Sequence, residues 1–432
     1  MKNELYQPYR GTRDLYPKDY AKQQYMFDVW RKVCLRFGFE EYLAPLVEKR
    51  ALYTAKQASG EEVSQKELYW FTDQGDREIA IRPEMTPSVS RMIGARIQSL
   101  PKPQRWFSIA NFMRYERPQK GRIREFWQLN ADTFGVSSVE ADAEIVELSI
   151  EIMREFGADH SMFKIYINNR EWFLWWLTTI VGVSENIQAI TRIIDNIKKS
   201  SDRENEEKLH EVGLLKDQIE KIMGLNGKVL SDFEDYMSKS KGLSDLKALY
   251  DKIVDKGLGE YVKVDFSLVR GFDYYTGNVF EQYDLSGENS RSMFGGGRYD
   301  KLVGLYAGVD VPAVGFAPGD VPMGLFLDSW NLIPNLSVGP QALVTVFNER
   351  TIQYAQKAVD TLRGHEIRTE MYLFDGENVG DQITYASKKA IPFVIIAGPD
   401  EMTKQVVMLK NMVTGTQKAV TFIDLPKEVL KG

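Results

Sequence analysis

Between Arg114 and Asp132 the chain reads Arg-Tyr-Glu-Arg-Pro-Gln-Lys-Gly-Arg-Ile-Arg-Glu-Phe-Trp-Gln-Leu-Asn-Ala-Asp, two extended segments joined by a loop. The second segment alternates in an unusual way. Trp127, Leu129, Ala131 and Thr133 suit a core, whereas Arg124, Gln128, Asn130 and Asp132 are polar; parity also groups Arg114 with Glu116 on the incoming strand. A pattern of this kind belongs in a hairpin with one face on the core, and alternation alone predicts that the other face is solvated. The loop argues for more than that. Arg117, Lys120, Arg122 and Arg124 surround Pro118 and Gly121, which predicts a mobile cationic flap over a polar sheet face. Such a flap suits a small anionic ligand such as a nucleoside triphosphate, because guanidinium groups fork onto phosphate oxygens.

With 432 residues the chain can build two or three domains with substantial cores. A 43% hydrophobic and 27% charged composition is that of an ordinary globular protein. No apolar run reaches ~18 residues, so no membrane span is expected. The opening Met-Lys-Asn-Glu-Leu-Tyr lacks the apolar core of a secretory signal, so the chain is expected to stay inside the cell, in the cytoplasm. One cysteine, Cys34, excludes an internal disulfide and a cysteine-rich metal site; its helical context predicts a buried thiol. The three histidines, His160, His210 and His365, lie far apart in sequence and outside any motif. No metal site made by protein side chains is therefore expected, and catalysis has to rest on arginines and carboxylates, with a hard cation if any. The net charge of −6, and 11 Lys+Arg against 11 Asp+Glu from Pro340 onward, do not by themselves propose a nucleic-acid partner.

The spacing predicts a helix over Tyr20–Phe37, stopped by Gly38, then a strand over Phe39–Leu43 that ends before Pro45. Glu84-Met-Thr86-Pro87 reads as a strand end and helix start with Thr86 as N-cap. Ser137 to Glu140 reads as a capping box heading a helix to about Phe156, and Lys164–Ile167 alternates as a strand. From Glu171 to about Gly259 the texture is helical, with Trp172, Trp175 and Trp176 expected in the core and a charged, solvated stretch at Asn196–Lys208. Strand texture returns from Tyr261 to Ala317. Asp328–Pro340 looks like a linker, because Asn331, Pro334, Asn335, Ser337, Gly339 and Pro340 favour turns. Beyond it strands and helices alternate through an α/β domain of about 90 residues.

The Arg114–Asp132 segment resembles motif 2 of class II aminoacyl-tRNA synthetases, in the form found in histidyl-tRNA synthetases. Arg10-Gly-Thr-Arg-Asp-Leu-Tyr-Pro17, Leu268-Val-Arg270-Gly-Phe-Asp-Tyr274-Tyr275-Thr-Gly, Gly295-Gly-Gly-Arg-Tyr-Asp300 and Gln382-Ile-Thr-Tyr-Ala-Ser-Lys-Lys-Ala-Ile-Pro-Phe-Val394 resemble the same family, in its order and across nearly the whole chain. The resemblance implies an α+β catalytic domain over residues 1–330, an antiparallel sheet flanked by helices, with a mainly helical insertion at about 171–259. It also implies an anticodon-binding-like α/β domain at 340–432. The helix-strand-Pro45 pattern resembles motif 1, implying a homodimer, and the insertion would approach the acceptor stem of the tRNA. The implied activity is histidine–tRNA ligation: L-histidine and Mg²⁺-ATP give histidyl-adenylate, which is transferred to tRNA(His).

By matching to the family's motifs, Arg114 would hold the α-phosphate, and Glu116 and Arg122 would contact adenine and triphosphate. Arg270 would bridge the substrate carboxylate and the α-phosphate, a fixed cation where negative charge develops. Out of context Arg270 would as readily pair with Asp273. Glu84, Thr86 and Gln128 would bind the amino group of histidine, with Met85 and Arg114 also in the histidine site; Asp132 and Tyr275 would read the imidazole beside Tyr274. A carboxylate plus a phenol can satisfy both ring nitrogens. Gly295, Gly296 and Gly297 would let backbone approach the nucleotide. One departure stands out: after Val311-Pro-Ala-Val-Gly-Phe-Ala317 the family's motif 3 places an arginine against ATP, and here Pro322 stands there. Arg298, Arg122 or another cation would have to replace it, or ATP binding is weakened. Two other readings compete. A histidine-binding regulatory subunit of ATP phosphoribosyltransferase resembles the same core without charging tRNA, but usually lacks the C-terminal domain. A synthetase for another amino acid would need Asp132 and Tyr275 to serve a different side chain.

Overall fold

The computed structural model describes residues 6–54, 66–197, 200–269, 274–289, 291–373 and 378–431. The chain divides into two units, with the boundary between Pro334 and Asn335, inside the turn-rich stretch. In chain order the strands of the first are β1 (Glu40–Glu41), β2 (Val47–Lys49), β3 (Trp70–Thr72), β4 (Glu78–Ile81), β5 (Gln104–Met113), β6 (Glu125–Phe134), β7 (Phe163–Asn169), β8 (Val262–Val264), β9 (Asn278–Asp284), β10 (Ser292–Arg298) and β11 (Ala313–Phe316).

Among the described residues, eight of these form one sheet in the order β1-β5-β6-β11-β10-β9-β7-β8, and β2-β4-β3 make a small second sheet. Only the outer pairs β1–β5 and β7–β8 of the large sheet are parallel. The antiparallel centre puts residues from distant segments directly opposite one another: Trp106 faces Asp132, Asp132 faces Gly315, and Gly315 faces Gly297. One sheet face packs on the helices Pro17–Arg36 and Val139–Glu155, where Trp30, Val33, Leu129, Ala131 and Ile150 share the main core. Burying that apolar face supplies most of the drive for this layer.

The opposite face is not solvated, contrary to what alternation predicts. Ser108, Asn130 and Asp132 are all buried on it. The helix Thr86–Ala95 and the Tyr299–Val311 segment cover its Phe134 end with Val89, Ile93, Tyr299 and Leu302, and Met85, Ala44, Ala110 and Phe112 close the other end. Between these two apolar plugs the even-numbered polar residues of β6 form an enclosed floor.

The two helix-start signals did not act as read. The Thr86–Ala95 helix begins at Thr86 itself, with Met85 in the cap position and no side-chain cap bond. Ser138 precedes the Val139–Glu155 helix, again without a side-chain cap. Tertiary contacts surround that end: the Arg298 guanidinium donates to the Val136 and Ser138 carbonyls at 2.9 and 3.0 Å, and Glu140 pairs with Lys252 at 2.8 Å. The insertion between β7 and β8 is helical, with Trp172 and Trp176 buried in the main core. Its charged stretch becomes the helix Asp202–Glu211, held by a capping box between Ser201 and Glu204.

Arg298 also shows what holds the sheet to its helix layer. Its Nε lies 3.1 Å from Asp142, its Nη2 also meets that carboxylate, and its Nη1 binds Asp300 at 3.2 Å, with both Arg298 and Asp142 buried. Removing one partner of a buried pair leaves an uncompensated charge costing about 3–5 kcal/mol. Arg298→Met should therefore lower the melting temperature of the first unit by about 5–10 °C, read by thermal denaturation. A shift below ~2 °C would remove Arg298 from that anchoring role.

In the second unit β12 (Ala342–Val344), β13 (Thr369–Met371), β14 (Phe393–Ile396), β15 (Val407–Asn411) and β16 (Gln417–Val420) form a sheet in the order β13-β12-β14-β15-β16. The first three are parallel and the last two antiparallel. Helices Glu349–Arg363, Val379–Lys388, Pro399–Lys404 and Leu425–Leu430 alternate with these strands or follow them.

Candidate active site

The β5–β6 hairpin carries the centre of the site. Arg114 leaves the end of β5 and is held in place without a ligand: its Nε donates to the Pro83 carbonyl at 2.9 Å, its guanidinium lies over Phe126 at 5.3 Å, and Glu116 stands 3.8 Å from Nη1. Pro83 is itself fixed, because buried Arg82 binds the Ala44 and Asn111 carbonyls at 2.7 and 2.9 Å. This ties the Glu84–Thr86 segment to the root of the flap. Arg122 reaches back to the second Glu116 oxygen at 3.2 Å and stays exposed. Glu116 therefore sits between two guanidinium groups.

The flap is better anchored than its composition suggests. Arg124 is buried at its root: its N–H binds the Gly11 carbonyl at 2.7 Å, its Nη1 binds the Tyr9 hydroxyl at 2.7 Å, and its guanidinium lies 4.1 Å over Tyr115. The Arg10–Thr12 segment is thus a structural brace for the hairpin. Lys120 at the tip binds the Glu288 carbonyl at 2.9 Å, and Arg291 binds Gln119 at 3.1 Å. Of the four flap cations, Arg117, Lys120 and Arg122 remain exposed and Arg124 is buried.

On the floor, Gln128 is half-buried, with Nε2 3.5 Å from the Ala317 carbonyl. Asp132 is buried and accepts a 2.5 Å hydrogen bond from the Tyr299 hydroxyl. Burial pushes its carboxyl up to about 7, against the opposing effect of the Tyr299 bond. Tyr299 lies in the Gly-Gly-Gly-Arg-Tyr segment and was missed by sequence reasoning, which paired Asp132 with Tyr275. Tyr275 and Tyr274 lie close by: their rings are 4.9 Å apart, Tyr274 is 5.9 Å from Tyr299, and the Tyr275 ring lies against Gly297. Glu84 is buried, and after burial itself its charge helps hold the Tyr306 phenol above its ordinary value. Thr86 is half-buried at the helix start.

Two expected site residues turn elsewhere. The Met85 side chain packs into the Ala44–Phe112 cluster, so only its backbone can face a substrate. Gly296 points to the opposite sheet face, where a Cβ would lie 2.6 Å from Phe280 and 2.7 Å from Phe316; core packing explains that glycine. Gly295 and Gly297 keep the site-facing parity. Gly315, not anticipated, faces Asp132 so closely that a Cβ would lie 1.9 Å from its Oδ1. Its lack of a side chain is what lets the carboxylate lie on the floor.

Arg298 does not take the place of the motif 3 arginine, because its donors are spent on Asp142, Asp300 and two carbonyls. Pro322 occupies the first turn of the helix Asp320–Ser329, where proline is tolerated. The buried Asp320 at that helix start accepts from the Trp127 N–H at 2.9 Å, from Gln23 at 2.8 Å and from Arg13, locking the helix to β6. Arg270 and its neighbour Asp273 lie outside the described residues.

Residues 11–319 match the family described as histidyl-tRNA synthetase, and residues 341–432 match an anticodon binding domain. The chain is 38% identical over 430 residues to a histidine–tRNA ligase of Leptospira biflexa, covering 98% of this chain and 96% of the relative. It is 36% identical over 435 residues to one from Pyrococcus horikoshii, covering 98% and 99%. The fold matches the crystal structure of histidyl-tRNA synthetase from Nostoc sp. PCC 7120 with a TM-score of 0.84 over 99% of both chains, at 23% identity. It also matches an ATP phosphoribosyltransferase regulatory subunit/histidyl-tRNA synthetase from Bacillus halodurans, with a TM-score of 0.71 over 88% of this chain and 96% of that one, at 22% identity. That likeness concerns the fold alone, and the C-terminal domain and the identities to ligases disfavour the regulatory reading. An enclosed polar floor, an arginine flap and family matches over both units together place the chain in the histidyl-tRNA synthetase family.

Proposed function

We propose that this chain activates histidine on the floor of β6, under the flap, and passes it to tRNA(His). A carboxylate oxygen of histidine attacks the α-phosphorus of ATP, forming histidyl-adenylate as pyrophosphate leaves. A terminal hydroxyl of the tRNA then attacks the carbonyl carbon and AMP departs. Charge accumulates on the α-phosphate in the first step, so a cation already in position lowers the barrier. Arg114, locked by the Pro83 carbonyl and Phe126, is such a cation and is the observation that supports this reading most. Arg270 is assigned the bridge between substrate carboxylate and α-phosphate.

Glu116 and Arg122 take the adenine and triphosphate, with Gly295 and Gly297 as the nearby backbone floor; Arg122 is the described cation that can supply what Pro322 lacks. Glu84, Thr86 and Gln128 bind the ammonium group. Asp132, set by Tyr299, reads the imidazole beside Tyr274 and Tyr275. Among the described residues no group of three or more His, Cys, Asp or Glu could hold a metal, so Mg²⁺ is assigned to the triphosphate, whose charge it neutralises. A cytoplasmic homodimer is proposed as well. No helix among the described residues is long and apolar enough to cross a membrane. The outer edge of β1 is unpaired among the described residues, and Leu43, Leu46, Trp70 and Phe71 are exposed.

The test is ATP–pyrophosphate exchange with each amino acid, then charging of a tRNA(His) transcript with labelled histidine. Exchange confined to histidine and a charged product are expected; histidine binding with neither exchange nor charging would point to the regulatory reading. Arg270→Ala should reduce exchange at least ~10²-fold, the scale for losing a preorganised charge. An unchanged rate would refute its bridging role.

A further inference from the structure

The tip of the flap is tied to residues that have no part in the scheme above. Gln119 and Arg122 exchange both backbone hydrogen bonds, at 3.0 and 2.9 Å, across a tight turn whose third residue, Gly121, has φ +81°. Whatever fixes Gln119 therefore fixes Arg122. The Gln119 side-chain oxygen accepts from Arg291 at 3.1 Å, and Lys120 donates to the Glu288 carbonyl at 2.9 Å, with the Glu288 carboxylate 3.7 Å away. These contacts join segments 172 and 168 residues apart.

The stretch that leads to them is pinned from below. Asp284, buried at the end of β9, accepts from the Ser286 N–H at 2.8 Å, the Ser286 hydroxyl at 2.7 Å and Asn289 at 2.6 Å. The indole N–H of Trp330, one residue past the helix Asp320–Ser329, donates to it at 2.9 Å. Four donors match the ~four acceptor sites of a carboxylate. Burial alone would raise the Asp284 carboxyl, but these bonds hold it below its ordinary value and so keep it charged. Lys120, Glu288 and Arg291 are exposed, where such contacts contribute little each, so the tip can still lift.

We propose that Glu288 and Arg291 latch the flap tip and thereby hold Arg122 ready for the triphosphate, with Arg291 and Asp284 as positioning residues. This rests on Arg122 meeting the triphosphate, as proposed above. The latch places the Arg122 backbone through its pairing with Gln119, while Glu116 holds the guanidinium at 3.2 Å. A weak latch suits a flap that must open for ligand entry and release. Loss of the Arg291 contact, or of the Asp284 bonds beneath it, shifts the tip toward the lifted state.

Arg291→Ala removes an exposed side chain and should leave the melting temperature unchanged. It is expected to raise the ATP KM in histidine-dependent pyrophosphate exchange about fivefold, the scale of an exposed contact, with the histidine KM unchanged. Asp284→Asn, which keeps the shape but loses acceptor capacity, should do the same by loosening the stretch up to Asn289. The effect should pass through Arg122: in an Arg122→Ala background, Arg291→Ala should change the ATP KM less than about twofold. Trypsin gives an arm independent of catalysis. Without ligands, initial cleavage after Lys120 and Arg122 should quicken about fivefold in Arg291→Ala, because cleavage follows the population of the open flap. Cleavage at the parent rate in both variants overturns the latch. So does an ATP KM effect that persists in full without Arg122, since Arg291 would then act on the nucleotide by itself. A parent with no histidine-dependent exchange would sink the functional reading, and the cleavage rates would still decide the latch.

Discussion

Arg114→Ala is expected to lower histidine-dependent ATP–pyrophosphate exchange by about 10³-fold, the upper end of what one preorganised charge contributes. The effect should be this large because the guanidinium is positioned before any ligand arrives. A carbonyl holds Nε at 2.9 Å, a phenyl ring supports its face, and the side chain is only 15% exposed. Its remaining N–H groups are left for the α-phosphate, and no reorganisation is required as charge develops. Arg114→Lys should recover little, since an ammonium cannot keep the Pro83 contact and fork onto two oxygens together. Single-turnover adenylate formation is the measurement, and a loss under tenfold would take Arg114 away from the α-phosphate.

Asp132→Asn should act on recognition and stability in opposite senses. The amide cannot match a carboxylate against an imidazole N–H, so kcat/KM for histidine should fall about 10²–10³-fold with the ATP KM unchanged. Stability should move the other way, and only at higher pH. Burial raises the Asp132 carboxyl to about 7, whereas the unfolded chain has an ordinary value near ~3.9. Between these values the native state holds a proton that the unfolded chain has released, so this residue's contribution falls as pH rises from ~4 to ~7. Above ~7 the penalty is complete. Asp132→Asn should therefore melt higher than the parent at pH 8 and alongside it near pH 4. Tyr299→Phe removes the hydrogen bond that favours the charged form, and should widen the window upward. Equal melting of parent and Asp132→Asn at both pH values would sink the account of a strained recognition carboxylate.

The family relationship also gives meaning to the departure at Pro322. The helix that would carry the motif 3 arginine is present and tightly held by Asp320, so its geometry is conserved in the fold while its cation is not supplied from that position. Arg298 is structurally committed. Arg122 stays exposed on the flap and paired with Glu116, which is why the proposed scheme gives it that task.

How far the sequence alone carries depends on the range of the interaction involved. The parity of β6 was legible because side chains of a strand alternate, and it separated the apolar Leu129–Ala131 side from the polar Asn130–Asp132 side correctly. Helices occupy the stretch between β7 and β8, and the boundary between the two units falls at Pro334 and Asn335 among turn-favouring residues. Motif order made the family legible, and with it the histidine–tRNA ligase activity. Local rules could not foresee distant groups: no side-chain cap forms at the head of the Val139–Glu155 helix, and Arg298 binds the Val136 and Ser138 carbonyls from 162 and 160 residues away. Alternation also could not tell a solvated face from a covered one, because the covering groups Val89, Tyr299 and Met85 come from other segments.

The sequence by itself therefore determined the elements, their apolar faces and the family, all properties written in spacing and residue order. Tertiary structure alone decided which groups meet on the floor. Tyr299 reaches Asp132 across 167 residues, and Gly315 makes room for that carboxylate. The physical reason is that desolvation and hydrogen-bond satisfaction belong to places in the folded chain, and a residue acquires them only from neighbours that folding brings to it.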